Sequence, residues 1–334
     1  MMKYKPKNIK KTMKKKDFTR AGTFSGKRIG AVLCAATFLL CGCGNDSETA
    51  GTDTDSLVPL QVNAGIETRA YNNLWNKDDA IGIYMLNGTT AEAVNKKYTT
   101  DVADGTASGT FKAADGDIYL PVNGDGRDFI AYYPHQAGMA ENGNKYAIDL
   151  SDQSSQKAID LMRSAKVTDK NKNNASVAFL FSHKLVKIEV TIEHGNGVAA
   201  EDLAGTTVAL TNQPVKGSFD VLTEGAEAVP DAITEVNTLN SITLYPVLES
   251  SKYEAIVFPA ETTEGMEMEF IVPKLSETVP FTFTVSDAGK SKQFVAGNKY
   301  LYTIKINKMG IGVTSTIESW GYGNGEDGEK GNAE

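Results

Sequence analysis

The chain has 334 residues, with 34 Lys and Arg, 42 Asp and Glu, and a formal net charge of −8. That charge is the sum of two unlike parts: residues 1–28 hold 11 basic residues and one acidic residue (+10), and residues 43–334 hold 23 basic and 41 acidic (−18). A body of that sign excludes a general nucleic-acid binder, since phosphate contacts need Lys and Arg, and argues against adsorption on anionic lipid.

The Lys-rich start is followed by a dozen mostly apolar residues, Ile29-Gly-Ala-Val-Leu-Cys-Ala-Ala-Thr-Phe-Leu-Leu40. A basic stretch ahead of a 7–15-residue apolar run reads as a secretory signal, and the run is too short to span a bilayer. Met13 is a second plausible start. Leu40-Cys41-Gly42-Cys43 then resembles the lipobox of bacterial lipoproteins, which implies cleavage before Cys43 and lipidation of its thiol. The acidic Asn45-Asp46-Ser47-Glu48 resembles the sorting signal that sends some lipoproteins to the outer face of the outer membrane. All three cysteines lie between 34 and 43, so the body carries no disulfide and no thiolate metal site. Residues 1–42 are therefore read as a signal peptide and 43–56 as a flexible Thr/Asp/Gly/Ser-rich tether.

From there on, alternation of period two dominates. Val58, Leu60, Val62, Ala64 and Ile66 share one face of a first strand. Val186, Ile188, Val190 and Ile192 share another, as do Phe281, Phe283 and Val285, and Tyr300–Ile306 alternates again. Strand-like runs also fall near 80–86, 108–112, 117–121, 128–133, 146–150, 158–163, 206–210, 216–222, 241–247, 253–258 and 267–272. Turn pairs such as Asn87-Gly88, Asp115-Gly116 and Asn142-Gly143 separate them. Only 90–97 and 198–204 suit a helical turn. Strands every 8–14 residues indicate an all-β protein of two β-sandwiches, 57–195 and 196–320, parted at His194-Gly-Asn-Gly197, with a polar tail over 321–334.

Catalytic patterns are not legible in this chain. It has no phosphate-binding Gly-x-x-x-x-Gly-Lys-Ser/Thr loop and no Gly-x-Ser-x-Gly elbow. Asn123-Gly-Asp-Gly-Arg-Asp128 fails as a calcium loop, because Arg127 and Asp128 stand where a fifth-position oxygen ligand and a glycine are needed. His135, His183 and His194 are scattered, and Trp75 and Trp320 are more simply packing residues than carbohydrate platforms. No enzyme, cofactor or metal is expected.

Several segments carry a resemblance in order along the chain. Thr68-Arg69-Ala70 and Trp75-x-x-x-Asp79-x-Ile81-Gly82-Ile83-Tyr84-Met85 resemble the fimbrillin family of type V pilins. So do Asp128-Phe-Ile-Ala-Tyr-Tyr-Pro134, Ile148-Asp-Leu-Ser-Asp-Gln153, Ile159-Asp-Leu-Met162, Phe181-Ser-His-Lys-Leu185, Gly297-Asn-Lys-Tyr-Leu-Tyr302 and Ile317-Glu-Ser-Trp320. The resemblance implies two transthyretin-like sandwiches and export as an outer-membrane lipoprotein precursor. It implies cleavage between Arg69 and Ala70, which removes the lipid and the first strand. It implies head-to-tail assembly with other pilin subunits at the fimbrium, where Ile311, Val313 and Ile317 of a terminal strand fill the vacated groove. The alternative is a surface lipoprotein that keeps its anchor and binds host glycan or protein.

Overall fold

A strand buried on one face alternates in sequence, whereas a strand covered on both faces is apolar throughout. Both kinds are present. In the computed structural model, which describes residues 57–66, 74–231, 241–248, 250–289, 291–320 and 329–332, strand Gln61–Ile66 alternates between exposed and buried over 61–64, while Ala80–Asn87 and Arg127–Tyr133 are buried almost without interruption. The described residues lie in one compact unit, Asp53–Glu334, and none forms a helix long and apolar enough to cross a membrane.

The N-terminal strands form an eight-stranded sheet in the order Val167–Lys170, Arg127–Tyr133, Ala80–Asn87, Thr90–Thr100, Ser108–Ala113, Gln61–Ile66, Ser176–His183, Met162–Ser164. Met162–Ser164 also pairs back onto Arg127–Tyr133, through Tyr132 with Arg163 and Tyr133 with Met162. Seven of these strands therefore close a ring, which removes the free edges an open sheet would present. Leu60, Val62, Ile81, Ile83, Phe111, Phe129, Val177 and Phe181 form one core together with Trp75.

A second core explains the strands without alternation. Tyr84, Leu86, Ile130 and Tyr132, from the opposite faces of two ring strands, pack with Ile188, Val190, Phe270 and Tyr302 from later in the chain. Lys145–Asp149 likewise pairs with Lys216–Asp220, joining early and late segments in one small sheet. The later strands form a four-stranded sheet and a six-stranded one, the latter in the order Tyr245–Pro246, Lys252–Val257, Val186–His194, Asn298–Asn307, Gly310–Ser319, Glu329–Asn332. Val186–His194, which precedes the Gly-rich break, pairs with Lys252–Val257 and Asn298–Asn307, both beyond it. Part of the expected polar tail, Glu329–Asn332, is an edge strand of this sheet.

The expected helical turn at 198–204 is a short 3-10 helix, Ala200–Leu203. The one at 90–97 is not helical: it belongs to the strand Thr90–Thr100. Its Ala, Glu and Lys content favours helix, but pairing with Ala80–Asn87 prevails. Asn95 sits at φ +48° beside a register shift, so the buried positions change parity from Ala93 to Tyr98. That bulge conceals the alternation from a reading of the sequence. The run at 158–163 also divides, into a one-turn helix Gln156–Ile159 and the strand Met162–Ser164.

Candidate functional site

The first strand is an internal stave of the ring. On one side it runs antiparallel to Ser108–Ala113, with Val62 opposite Phe111 and Ala64 opposite Gly109. On the other it runs parallel to Ser176–His183, from Gln61 opposite Ser176 to Ile66 opposite Phe181. Just before it, Val58–Pro59 pairs with Tyr119–Leu120. Leu60, Val62 and Ala64 are buried, and Val58 and Ile66 are half-buried. The sequence places all five on one face, and they line the N-terminal core together.

Trp75 fastens this strand from within. Its Nε1 donates to the carbonyl of Ala64 at 3.1 Å. Its ring meets Phe111, Tyr133 and Phe181 edge-on, at centroid distances of 5.0, 5.5 and 5.5 Å. Trp75 is 1 % exposed, so it is a packing residue and not a carbohydrate platform. Its backbone forms a bridge with Thr106, donating to and accepting from it at 2.8 and 3.0 Å.

A cavity of about 380 Å³ lies beside this end of the strand, lined by Ile66, Trp75, Asp79, Tyr133, Asp160 and Trp320 among others. Buried Asp79 accepts from the Tyr133 hydroxyl at 3.2 Å and from the Asn76 amide at 2.7 Å, and pairs with Lys157 at 2.6 Å. Burial, reinforced by the Asp79 charge, pushes the Tyr133 hydroxyl well above its ordinary range, so it stays protonated and donates. The first strand ends at Ile66, and the described residues resume at Leu74. Arg69 and Ala70 lie between these two residues and Cys43 lies ahead of the strand, all three outside the described residues.

The terminal strand Gly310–Ser319 is paired in its own sheet, with Asn298–Asn307 along its whole length and with Glu329–Asn332 over part of its other edge. Ile311, Val313 and Ile317 are half-buried against the larger core, and Ser315 is buried with its hydroxyl donating to Ala288 at 2.9 Å. Just after it, Trp320 is 5 % exposed. Its amide donates to the Gly297 carbonyl, and its ring stacks on His183 at 3.9 Å and 8°. His183 in turn meets Asp160 at 2.8 Å through Nδ1. His183 ends the strand that runs parallel to the first strand, so the two segments expected to act in assembly are both attached to Ser176–His183. The sequence marked the end of that strand through Phe181-Ser-His-Lys-Leu185, but neither its parallel pairing with the first strand nor the Trp75–Ala64 bond, because both depend on contacts between distant residues.

The sequence profile of the family described as fimbrillin-like matches residues 68–320. A curated protein from Bacteroides uniformis, a proposed fimbrium subunit named Fim1C, is 47 % identical over 311 residues, covering 91 % of this chain and 99 % of its own. The crystal structure of a proposed cell adhesion protein from Bacteroides uniformis is 45 % identical with a TM-score of 0.71, covering 80 % of this chain and 99 % of that one. A second such protein, from Bacteroides ovatus, shares the fold at 23 % identity and a TM-score of 0.62, covering 79 % and 98 %. This chain belongs to the fimbrillin-like family.

Proposed function

We propose that this chain is a non-catalytic fimbrial subunit of the cell surface. It is exported as a lipoprotein anchored at Cys43 and cut after Arg69. It then assembles head-to-tail by donor-strand complementation, with the Gly310–Ser319 segment of one copy entering the groove vacated by Val58–Ile66 of the next. The fibre serves surface adhesion. The two modules of this reading are a ring sheet drawn from residues 61–183 and later sheets drawn mainly from residues beyond 185, joined by the Lys145–Asp149 strand that pairs with Lys216–Asp220.

One observation carries this reading: the first strand is hydrogen-bonded on both sides within a closed ring. Its loss leaves two facing edges separated by about two strand spacings, roughly 9.5 Å. It also uncovers the sites of Leu60, Val62 and Ile66, each side chain contributing about 1.5–3 kcal/mol when fully buried. Every orphaned backbone group adds about 1–3 kcal/mol. The opened ring is therefore a strong acceptor for a strand from another copy. Donor and acceptor are different surfaces, so repetition builds an open filament. Cleavage separates a strand that is already seated, which keeps the precursor folded until a donor replaces it.

A second reading has its own support. Gly310–Ser319 already has neighbours on both edges, so donation must first break that pairing. A lipoprotein that keeps its anchor at Cys43 and binds host glycan or protein needs no such step. The N-terminus of the mature surface protein separates the two. A start at Ala70, with Arg69→Ala trapping monomer, supports assembly; intact lipid on Cys43 in every surface copy overturns it.

A further inference from the structure

We infer that the terminal strand enters the vacated groove in a single register, and that Met309 is the residue that leads it. In that register Met309, Ile311, Val313, Ser315 and Ile317 of one copy take the places of Val58, Leu60, Val62, Ala64 and Ile66 of another. This rests on the strand-exchange reading above and adds to it which residues select the partner.

The inward positions of the two segments match one for one in size. Each runs large or medium apolar, large apolar, Val, small, Ile. The small position is the informative one. Ala64 offers its carbonyl to the Trp75 indole inside a cage of Phe111, Tyr133 and Phe181. A slip of two residues puts Val313 or Ile317 there, and the added side-chain volume at this buried position beside Trp75 must displace its neighbours. A slip of one turns Gly312, Thr314 and Thr316 inward and every apolar side chain outward.

The outward positions agree as well. Thr314 falls where Asn63 now accepts from Thr110 Oγ1 at 3.1 Å, and a threonine hydroxyl can take that bond. Thr316 falls at Gly65, where an added Cβ meets nothing nearer than the Ala107 carbonyl at 3.8 Å.

Met309 is otherwise unexplained. It sits at the tip of the hairpin between Asn298–Asn307 and Gly310–Ser319 and is 97 % exposed. A polar residue would serve that turn better. In the inferred register it lies where Val58 now pairs with Leu120, against the rim of the N-terminal core. An exposed thioether in the monomer becomes a flexible apolar anchor in the polymer.

Cysteine cross-linking tests the register, because no native cysteine follows residue 43. Full-length chains carrying Thr110→Cys with Gly312→Cys, Thr314→Cys or Thr316→Cys are treated with an arginine-specific protease and oxidised. The inference expects a disulfide-linked ladder from the Thr314→Cys pair alone. A ladder from either other pair, or polymer with no ladder from any pair, overturns the register while strand exchange stands. Failure of the parent chain to polymerise after cleavage overturns both. For Met309, Met309→Asp should melt as the parent does in the monomer yet give a polymer that dissociates at least about tenfold faster, in keeping with loss of one buried apolar anchor. Met309→Leu should restore it. Equal dissociation of the Met309→Asp and parent polymers removes Met309 from the contact.

Discussion

Trp75 gives its indole N–H to the carbonyl oxygen of Ala64 across 3.1 Å, so the residue that follows the 67–73 link holds the strand that precedes it. The two ends of the expected processing segment are thereby tied together in the uncut chain. Under the strand exchange proposed above, this buried bond inside an aromatic cage is what holds the first strand before its replacement.

Trp75→Phe keeps a ring in the cage and removes the bond. The expected loss is about 1–2 kcal/mol of precursor stability, from one buried hydrogen bond and an imperfectly filled site. After cleavage the first strand should leave the variant faster. Urea unfolding of the uncut chain measures the first effect, and release of the labelled N-terminal peptide measures the second. Unchanged release would show that Trp75 does not hold the strand.

Ala64→Leu separates precursor from fibre. Residue 64 is 3 % exposed beside Trp75, so a larger side chain strains the precursor by about 1–3 kcal/mol. Residue 64 is absent from a subunit cut after Arg69, so fibres of that variant should melt like the parent fibres. Fibres weakened to the same degree as the precursor would mean that the first strand is retained in the assembly.

The His183–Trp320 stack should hold the terminal strand in its own sheet. Such ring pairs contribute about 0.5–1.5 kcal/mol beyond their buried area. Trp320→Leu keeps apolar bulk and removes the stack. The variant should show faster amide exchange along Gly310–Ser319 and little change along Gln61–Ile66 before cleavage. It should also polymerise sooner once cut. Slower exchange, or equal change in both strands, would refute a latch at that position.

The pattern of what the sequence disclosed follows from the range of each interaction. Val186, Ile188, Val190 and Ile192 were readable as one face because alternation is local, and all four are buried. The first strand was readable for the same reason. The strand Thr90–Thr100 was not, because the bulge at Asn95 breaks the period. The parallel pairing of residues 61–66 with 176–181 leaves no local trace, since more than a hundred residues separate the partners. Ala64 looks like any small strand residue until Trp75 is found against it. Motif order along the chain identified the family, but the closed ring and the double role of Ser176–His183 depend on long-range pairing.

The acid limb of stability should depend on Glu92. Arg127 donates to its carboxylate through Nε at 2.6 Å and Nη2 at 3.2 Å, and Asn87 adds a third bond at 2.9 Å. The pair spans the ring from Thr90–Thr100 to Arg127–Tyr133, across the strand between them. These bonds, Arg127 first, hold the carboxyl below its ordinary value of 4.5. A group whose value is depressed on folding binds its proton more readily when unfolded. Its contribution is therefore complete above the unfolded value and is lost as pH falls through the depressed one. Glu92 is a third exposed, so solvent screening limits the contribution to about 0–1 kcal/mol. Glu92→Gln should thus lower the urea midpoint slightly at neutral pH. The gap from the parent should close as pH drops below the unfolded value and through the depressed folded one, where the parent carboxyl is protonated too. A gap of constant size across that range would assign the loss to altered packing and remove the charge on Glu92 as its cause.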